Sequence, residues 1–304
     1  MMERAYVKTV SAKDLKSLFE DEFGRLKQAV DAGKNTALVS EPYAGRDMLL
    51  DELSSNLGGA ERVSFGSVAD AEGDVPEDAD VYLVEGCRYL YTRRIDGFEN
   101  LESFVDGVAE SEATVVASWN LYAWSYVRQA TEVDDVFRED IVLPELGTSS
   151  IAELVASEYD ITDFKSDLEE TREEGGDITD RLPAGIRFRL GERSDNVFEQ
   201  ITALSGGNLG VARSVFESRT WEDGSEDDVG ELSYEDAFML LVVLTKEDVE
   251  HQVLEEVVSP NSLEKSIRKL SDAGYVESDD GRVTLRPERL VNAVERLERR
   301  NLVW

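Results

Sequence analysis

Apolar residues recur every three to four positions through residues 12–33, placing Leu15, Leu18, Phe19, Phe23, Leu26 and Val30 on one face. That spacing predicts an amphipathic helix that stops at Gly33. The pattern then changes period. Thr36–Val39 is a short apolar run, followed by a tight turn and a helix that opens at about Gly45 and runs to about Leu57. Residues 61–66 read as a short strand and residues 70–80 as an acidic loop. VYLVE (81–85) is continuously apolar up to its last residue, as expected of a strand covered on both faces of a parallel sheet. A helix near Leu101–Ala109 and a strand at Thr114–Ser118, ending in Trp119–Asn120, come next. A helix from about Ala123, a short strand at 140–144 and a helix from Ser149 complete the series. Such alternation predicts an α/β fold, a parallel sheet flanked by helices.

The regular pattern lapses over residues 160–195, which are charged and weakly periodic and read as an insertion around a short helix. A helix is expected at Asn196–Leu204, and a Gly-rich turn then feeds another through GGNLGVAR. Residues 221–231 read as a linker. The last 74 residues form a separate unit: an apolar helix (234–244), a second helix with Thr245 and Asp248 as capping-box candidates, and a third capped by Asn261 or Ser262 and stopped at Gly274. YVESDDGRVTL follows as a hairpin with an Asp-Gly turn. Three helices and a two-stranded wing predict a winged helix-turn-helix. The expected domains are 1–150 for the α/β core, 151–225 for a helical lid with the charged insertion, and 226–304 for the winged helix.

Composition changes the picture at two points. The net charge is −34, from 66 Asp+Glu against 32 Lys+Arg, of which nine are Lys. The acids run through the whole chain, so an acidic tail is not the explanation. Acidic, Lys-poor surfaces over ordinary cores resemble the proteins of salt-accumulating archaea, where molar salt screens self-repulsion over a few ångströms. The plainer alternative is an acidic protein from an ordinary cytoplasm. Cys87 is the only cysteine and His251 the only histidine. Together they exclude an intrachain disulfide, a cysteine-built zinc site, and Ser-His-Asp, Cys-His or multi-His centres. The start MMERAYVKTV lacks an apolar segment of signal-peptide length and no apolar run is long enough to span a membrane, so a soluble cytoplasmic protein is expected.

The candidate chemistry begins at residues 35–52, NTALVSEPYAGRDMLLDE. A strand, a tight loop and a helix follow one another as in a phosphate-binding Walker A motif, G-x-x-x-x-G-K-[ST]. Ser40 takes the place of the first Gly, Gly45 holds the second, Arg46 takes the Lys and Asp47 the Ser/Thr. Backbone N–H groups at such a helix start bind phosphate whatever the side chains. Arg46 keeps a positive charge without a compact ammonium. Asp47 places an anion where a neutral hydroxyl would hold Mg²⁺.

Three further segments stand in the order of an AAA+ or related signal-transduction ATPase, and with the altered loop they make the chain resemble that superfamily over roughly residues 10–300. VYLVE is similar to the Walker B pattern, with Glu85 in the acidic place and Gly86 where a second carboxylate would activate water. ATVVASWN is similar to the sensor 1 strand, and Asn120 matches its polar residue. GGNLGVAR is similar to the sensor 2 helix of initiator-like members, and Arg213 matches the arginine that touches the γ-phosphate. The resemblance implies ATP or ADP with Mg²⁺ as the ligand, while the changes at Arg46, Asp47 and Gly86 imply weak or absent hydrolysis, with Glu85 and Asn120 the remaining catalytic candidates. Each residue also has a plainer reading: a strand-to-helix turn for the loop, a helix cap for Glu85, a turn residue for Asn120, a salt-bridged helix residue for Arg213.

Residues 261–304 hold nine Lys/Arg against eight Asp/Glu, a balance of +1 that leaves −35 on the remainder. Lys265, Arg268 and Lys269 on the third helix and Arg282 and Arg286 in the wing are the candidate phosphate contacts for DNA. Asn261, Ser262 or Ser266 would read bases. Two function classes follow, besides an active ATPase that would use Arg46 for charge and Glu85 for metal. One is a nucleotide-responsive or non-hydrolysing switch whose winged helix binds DNA. The other is an inactive ATPase-shaped module whose winged helix grips a protein partner or a second copy. Arg93 and Arg94 could act as an arginine finger on a neighbouring subunit, though a salt bridge is the plainer role. The cluster Trp119, Tyr122, Trp124 and Tyr126 reads as core packing or a domain contact before it reads as base stacking.

Overall fold

The computed structural model describes residues 17–71, 73, 79–158, 197–218 and 232–303. These fall into two compact units: Phe19–Pro144 together with Val229–Trp304, and Met1–Leu18 together with Glu145–Asp228. The expected helix start at 12–16, residues 72 and 74–78 of the acidic loop, the charged insertion at 160–195, Asn196 and the linker at 221–231 lie outside the described residues.

In the first unit α1 (Glu20–Asp31) buries Phe23, Leu26, Ala29 and Val30 on its apolar face. Five strands follow with helices between them: β1 (Thr36–Ser40), α2 (Arg46–Asn56), β2 (Ala60–Ser64), β3 (Val81–Glu85), α3 (Glu99–Glu110), β4 (Thr114–Asn120), α4 (Leu121–Ala130) and β5 (Glu139–Val142). All pairings are parallel, in the order β2-β3-β4-β1-β5. β1 and β4 are buried at every position, which is why their sequences are continuously apolar instead of alternating. The expected parallel α/β architecture is present.

The second unit holds α5 (Thr148–Glu158), α6 (Val197–Ser205) and α7 (Leu209–Ser218). Ile151, Leu154, Val155, Ile201, Val211 and Val215 form its buried face.

The C-terminal segment returns to the first unit. It runs α8 (Tyr234–Lys246), β6 (Asp248–Glu250), α9 (His251–Val257), α10 (Pro260–Asp272), β7 (Val276–Asp279), β8 (Arg282–Leu285) and α11 (Leu290–Glu298). Two local expectations are corrected. Thr245 does not cap a second helix: it lies buried inside α8, its hydroxyl bonded to the Val242 carbonyl at 3.0 Å. Asp248 lies in β6, which pairs with β8, so the expected two-stranded hairpin is part of a three-stranded antiparallel sheet, β6-β8-β7. Cross-strand pairing claims residues that local capping preference would give to a helix. The capping box is at the other end of α8, where Ser233 and Asp236 bond each other's backbone N–H. Helix α10 opens at Pro260 with Ser259 in the cap position, two or three residues before the expected cap. The hairpin turn is as expected, with Asp280 and Gly281 both at positive φ (46° and 76°).

Candidate functional site

Parallel sheets bind ligands beyond the carboxyl ends of their strands. Here those ends deliver Ser40 from β1, Glu85 from β3 and Asn120 from β4. Beyond β1 the chain turns through Glu41–Ala44 and enters α2 at Gly45, whose φ of 98° is left-handed and suits glycine. The loop is tied down on all sides. Tyr43 holds a positive φ of 67°, and its hydroxyl donates to the Leu285 carbonyl on β8 at 2.5 Å. Burial and the nearby Glu247 charge raise the Tyr43 phenol above its ordinary range. The Glu41 carboxylate accepts from the Tyr122 hydroxyl at 2.8 Å.

Arg46, in the place of the phosphate-binding lysine, is only 3% exposed. Its guanidinium donates to Ser40 Oγ (3.3 Å), to the Glu41 carbonyl (3.4 Å) and to Glu247 Oε1 (2.5 Å). Asn120 has two functions. Its side-chain oxygen accepts from the Tyr122 and Ala123 N–H groups and caps α4, and its Nδ2 donates to the Leu244 carbonyl (2.9 Å) and to Glu247 Oε1 (3.0 Å). The sequence-derived pair Arg46 and Asn120 therefore converges on one atom, and that atom belongs to a carboxylate of the C-terminal segment.

Glu247 follows the last residue of α8. Its backbone, at φ 64° and ψ −44°, occupies a sparsely populated region that costs a non-glycine residue on the order of 1–3 kcal/mol. Burial pushes its carboxyl upward, but the Arg46 and Arg88 charges and the bonds from Arg46 and Asn120 outweigh this and hold it below the ordinary carboxylate range. Arg88 Nη2 lies 3.7 Å from Glu247 Oε2, and Arg88 Nε donates to the Lys246 carbonyl at 2.8 Å. Lys246, 2% exposed, donates in turn to the Arg88 and Tyr91 carbonyls and sits over the Tyr91 ring. Tyr89 bonds the Asp248 carbonyl at 3.0 Å. Residues 246–248 are thus clamped between the phosphate-type loop and the segment after β3.

The carboxylates that hydrolysis would require are placed otherwise. Glu85 is engaged by Arg62, which also binds Asp51. Asp47 is solvent-exposed, 3.9 Å from Arg46 Nε. Gly86 cannot be exchanged for an acid: its φ is 72°, and a Cβ there would stand 2.1 Å from the Phe65 carbonyl oxygen. Among the described residues no cluster of three His, Cys, Asp or Glu side chains is disposed to hold a metal ion. As they stand, these residues do not fit a triphosphate with Mg²⁺: the cation and the amide that would meet phosphate already bind a carboxylate.

The remaining sequence-derived residues divide between engaged and open. Arg213, in the helical unit, binds Glu158 through Nε at 2.6 Å and through Nη2. Lys269 pairs with the buried Asp236 at 2.6 Å. Arg282 pairs with Asp248 (2.7 Å) and Glu250 (3.1 Å) across the β6–β8 ladder, and Arg286 with Glu288 (3.0 Å) and Glu277 (3.2 Å). Ser266 is buried against Asp236 at 2.7 Å, so it does not face a base. Lys265 and Arg268 are exposed and make no ion pair with any described residue. Arg93 stacks on Tyr126 at 3.8 Å and Arg94 pairs with Glu256 at 2.9 Å. Trp119 and Trp124 are core residues 5.2 Å apart. Burial pushes the Cys87 thiol up to about 12, so it is not a thiolate at neutral pH. Sequence reasoning missed Tyr43, Arg88, Lys246 and Glu247. A signal for the last two was present: a Lys-Glu pair closes a helix that is otherwise apolar from Phe238 to Thr245.

No protein-family model matches the chain, and no curated protein sequence matches it. Similar solved structures include the ORC2 protein of Aeropyrum pernix (11% identity, 99% of this chain and 96% of that one, TM-score 0.36). A Walker-type ATPase of Pyrococcus abyssi is 9% identical (91% and 95% covered, TM-score 0.42). The AMPPCP-bound DnaA of Aquifex aeolicus is 13% identical (93% of each, TM-score 0.34). With every score below 0.5, the chemistry of the site rests on its own geometry. Among the described residues no helix is long and apolar enough to cross a membrane.

Proposed function

We propose that this chain is an AAA+-like regulatory module that does not hydrolyse ATP and whose output is its C-terminal winged helix. The observation that carries the reading is the buried contact of Arg46 with Glu247. Catalysis of phosphoryl transfer rests on positioning and on cations at the transferring group. The cation at this loop is neutralised within the chain, Glu85 is engaged by Arg62, and Gly86 has no room for the second acid. In the docked arrangement neither ATP nor ADP with Mg²⁺ has a seat. The acidic surface supports a cytoplasm of high salt, as in halophilic archaea.

The test is phosphate release from ATP by the full chain with Mg²⁺ in high KCl. The expected result is release at the level of the protein-free blank. Turnover near about 1 s⁻¹, lost in Glu85→Gln, would overturn the reading.

Two partner classes remain for the winged helix, and one observation favours each. Lys265 and Arg268 are exposed on the outer face of α10, which supports contact with DNA phosphates. Lys269, Arg282 and Arg286 are engaged by carboxylates, which leaves a thin basic footprint on a chain of net charge −34 and supports a protein partner. The geometry favours the protein-binding reading. A gel shift on genomic fragments in molar KCl, wild type against Lys265→Ala/Arg268→Ala, decides it. A shift seen in the wild type and lost in the variant would restore the DNA reading.

A further inference from the structure

We infer that Glu247 is an internal anion seated in the place of a phosphate, and that a phosphate-class anion competes with it and thereby unlocks the C-terminal segment from the core. The inference rests on the reading above for the location of the seat, but not on whether the chain hydrolyses ATP.

Two hydrogen-bond donors and one further cation converge on the Glu247 carboxylate. Arg46 comes from the start of α2, Asn120 from the end of β4, and Arg88 from the turn after β3, at 2.5, 3.0 and 3.7 Å. These elements surround the carboxyl edge of the parallel sheet, where a ligand and not a remote residue is expected to sit. Arg46 is the first residue of α2, and a helix start favours an anion beside it. An ordinary structural salt bridge would not call for the backbone that delivers this one. Glu247 leaves α8 at φ 64°, a conformation a non-glycine residue adopts only when its surroundings hold it there. The same residue carries the attachment of its neighbours: Lys246 is fastened to the Arg88 and Tyr91 carbonyls, Asp248 to Tyr89, and Tyr43 reaches across to β8.

The consequence is a competition. With the carboxylate seated, Arg46 Nη2 and Asn120 Nδ2 have an acceptor and the segment is docked, while the buried Arg46 Nε has none. An anion bearing several oxygens on the same donors removes the reason for residues 246–248 to stay. Docking and anion binding then exclude one another, and the apparent affinity for the anion is lowered by the fraction of molecules that are undocked.

Inorganic pyrophosphate is the probe, titrated calorimetrically against the full-length wild type, Glu247→Ala, Glu247→Gln and Glu247→Ala/Arg46→Ala. Folding is checked by circular dichroism, and docking by amide hydrogen exchange at Tyr43–Asp47 and Lys246–Asp248. Glu247→Ala is expected to bind pyrophosphate at least about tenfold tighter than the wild type, with faster exchange at 246–248. The double variant is expected to lose that gain. A folded Glu247→Ala with wild-type affinity and wild-type exchange overturns the inference. If that variant does not fold, the same comparison is made with Glu247→Gln, which keeps the shape and most hydrogen-bonding atoms but not the charge. If neither folds, exchange at 246–248 of the wild type under pyrophosphate decides, and no change there overturns the inference. ATP turnover by the wild type would overturn the non-hydrolysing reading alone and leave this comparison intact.

Discussion

The C-terminal segment presents two charged faces that look alike in sequence and behave oppositely in the fold. Toward the core it offers Glu247, 9% exposed and bound by Arg46 and Asn120, and Lys246, 2% exposed, which donates to the Arg88 and Tyr91 carbonyls and whose amine is held well below its ordinary range by burial and by the Arg88 and Arg93 charges. On the outer face of α10 it offers Glu264, Lys265 and Arg268, all exposed. Buried charges are tolerated only with partners in good geometry, and removing one partner is costly because the other stays buried and unpaired. Exposed charges sit in water already, and single pairs among them contribute about 0–1 kcal/mol. The inner face is therefore a lock and the outer face a surface available to a partner.

The largest expected effect breaks the lock. Arg46→Ala leaves Glu247 buried without its nearest cation and should cost about 3–5 kcal/mol, read as a drop in the denaturation midpoint. A loss no greater than that of Lys265→Ala would erase the distinction between the faces. Next is Gly86→Asp, which places a second acid after Glu85. The Cβ collision with Phe65 and the positive φ should cost about 1–3 kcal/mol with no gain of ATP turnover, measured by melting and phosphate release.

The pH dependence sharpens the comparison. The Glu247 carboxyl is held below its ordinary value of 4.5, so the stability it contributes is complete above that value and is lost as pH falls through the lowered one. Asp236 is lowered likewise: burial opposes the shift, and the bonds from Lys269, Ser266 and Ser233 outweigh it. The thermal midpoint should fall on acidification below about pH 4.5, less steeply in Glu247→Gln than in the wild type. Equal slopes would remove Glu247 from the lock. Salt acts on the outer surface: at about 2 M KCl the screening length is near 3 Å or less, against about 10 Å at 0.1 M, so the midpoint should rise with KCl. An unchanged midpoint counts against the halophile reading. Smallest is Lys265→Ala/Arg268→Ala, which should alter stability by less than about 0.5 kcal/mol. If DNA is the partner, the same variant flattens the salt slope of binding by about one unit per lost charge.

Much of the core could be read along the chain because burial on both faces imposes a one-dimensional signature. VYLVE and TVVASWN announce their strands, and Gly45 and Gly86 fall where the backbone needs positive φ. Arg46 and Asn120 were also legible, since a loop before a helix and the end of an apolar strand are local features. Asp248 misled for the same reason: capping preference is local, whereas the β6–β8 pairing that claims it joins it to Thr284, and Thr245 is held inside α8.

The sequence by itself determined the parallel α/β core, the tight loop from β1 into α2 with Arg46 at the helix start, the glycine after Glu85 and the acidic composition. Each is a property of composition or of neighbours within a few residues. Only the tertiary structure decided what Arg46 holds. Its partner Glu247 lies 201 residues away, and no periodicity links the two. A buried charge selects its counter-charge through distance and desolvation, which exist only once the chain has folded. The same physics sorted Lys269, Arg282 and Arg286 into ion pairs and left Lys265 and Arg268 in solvent, although all five are simply basic residues in the chain.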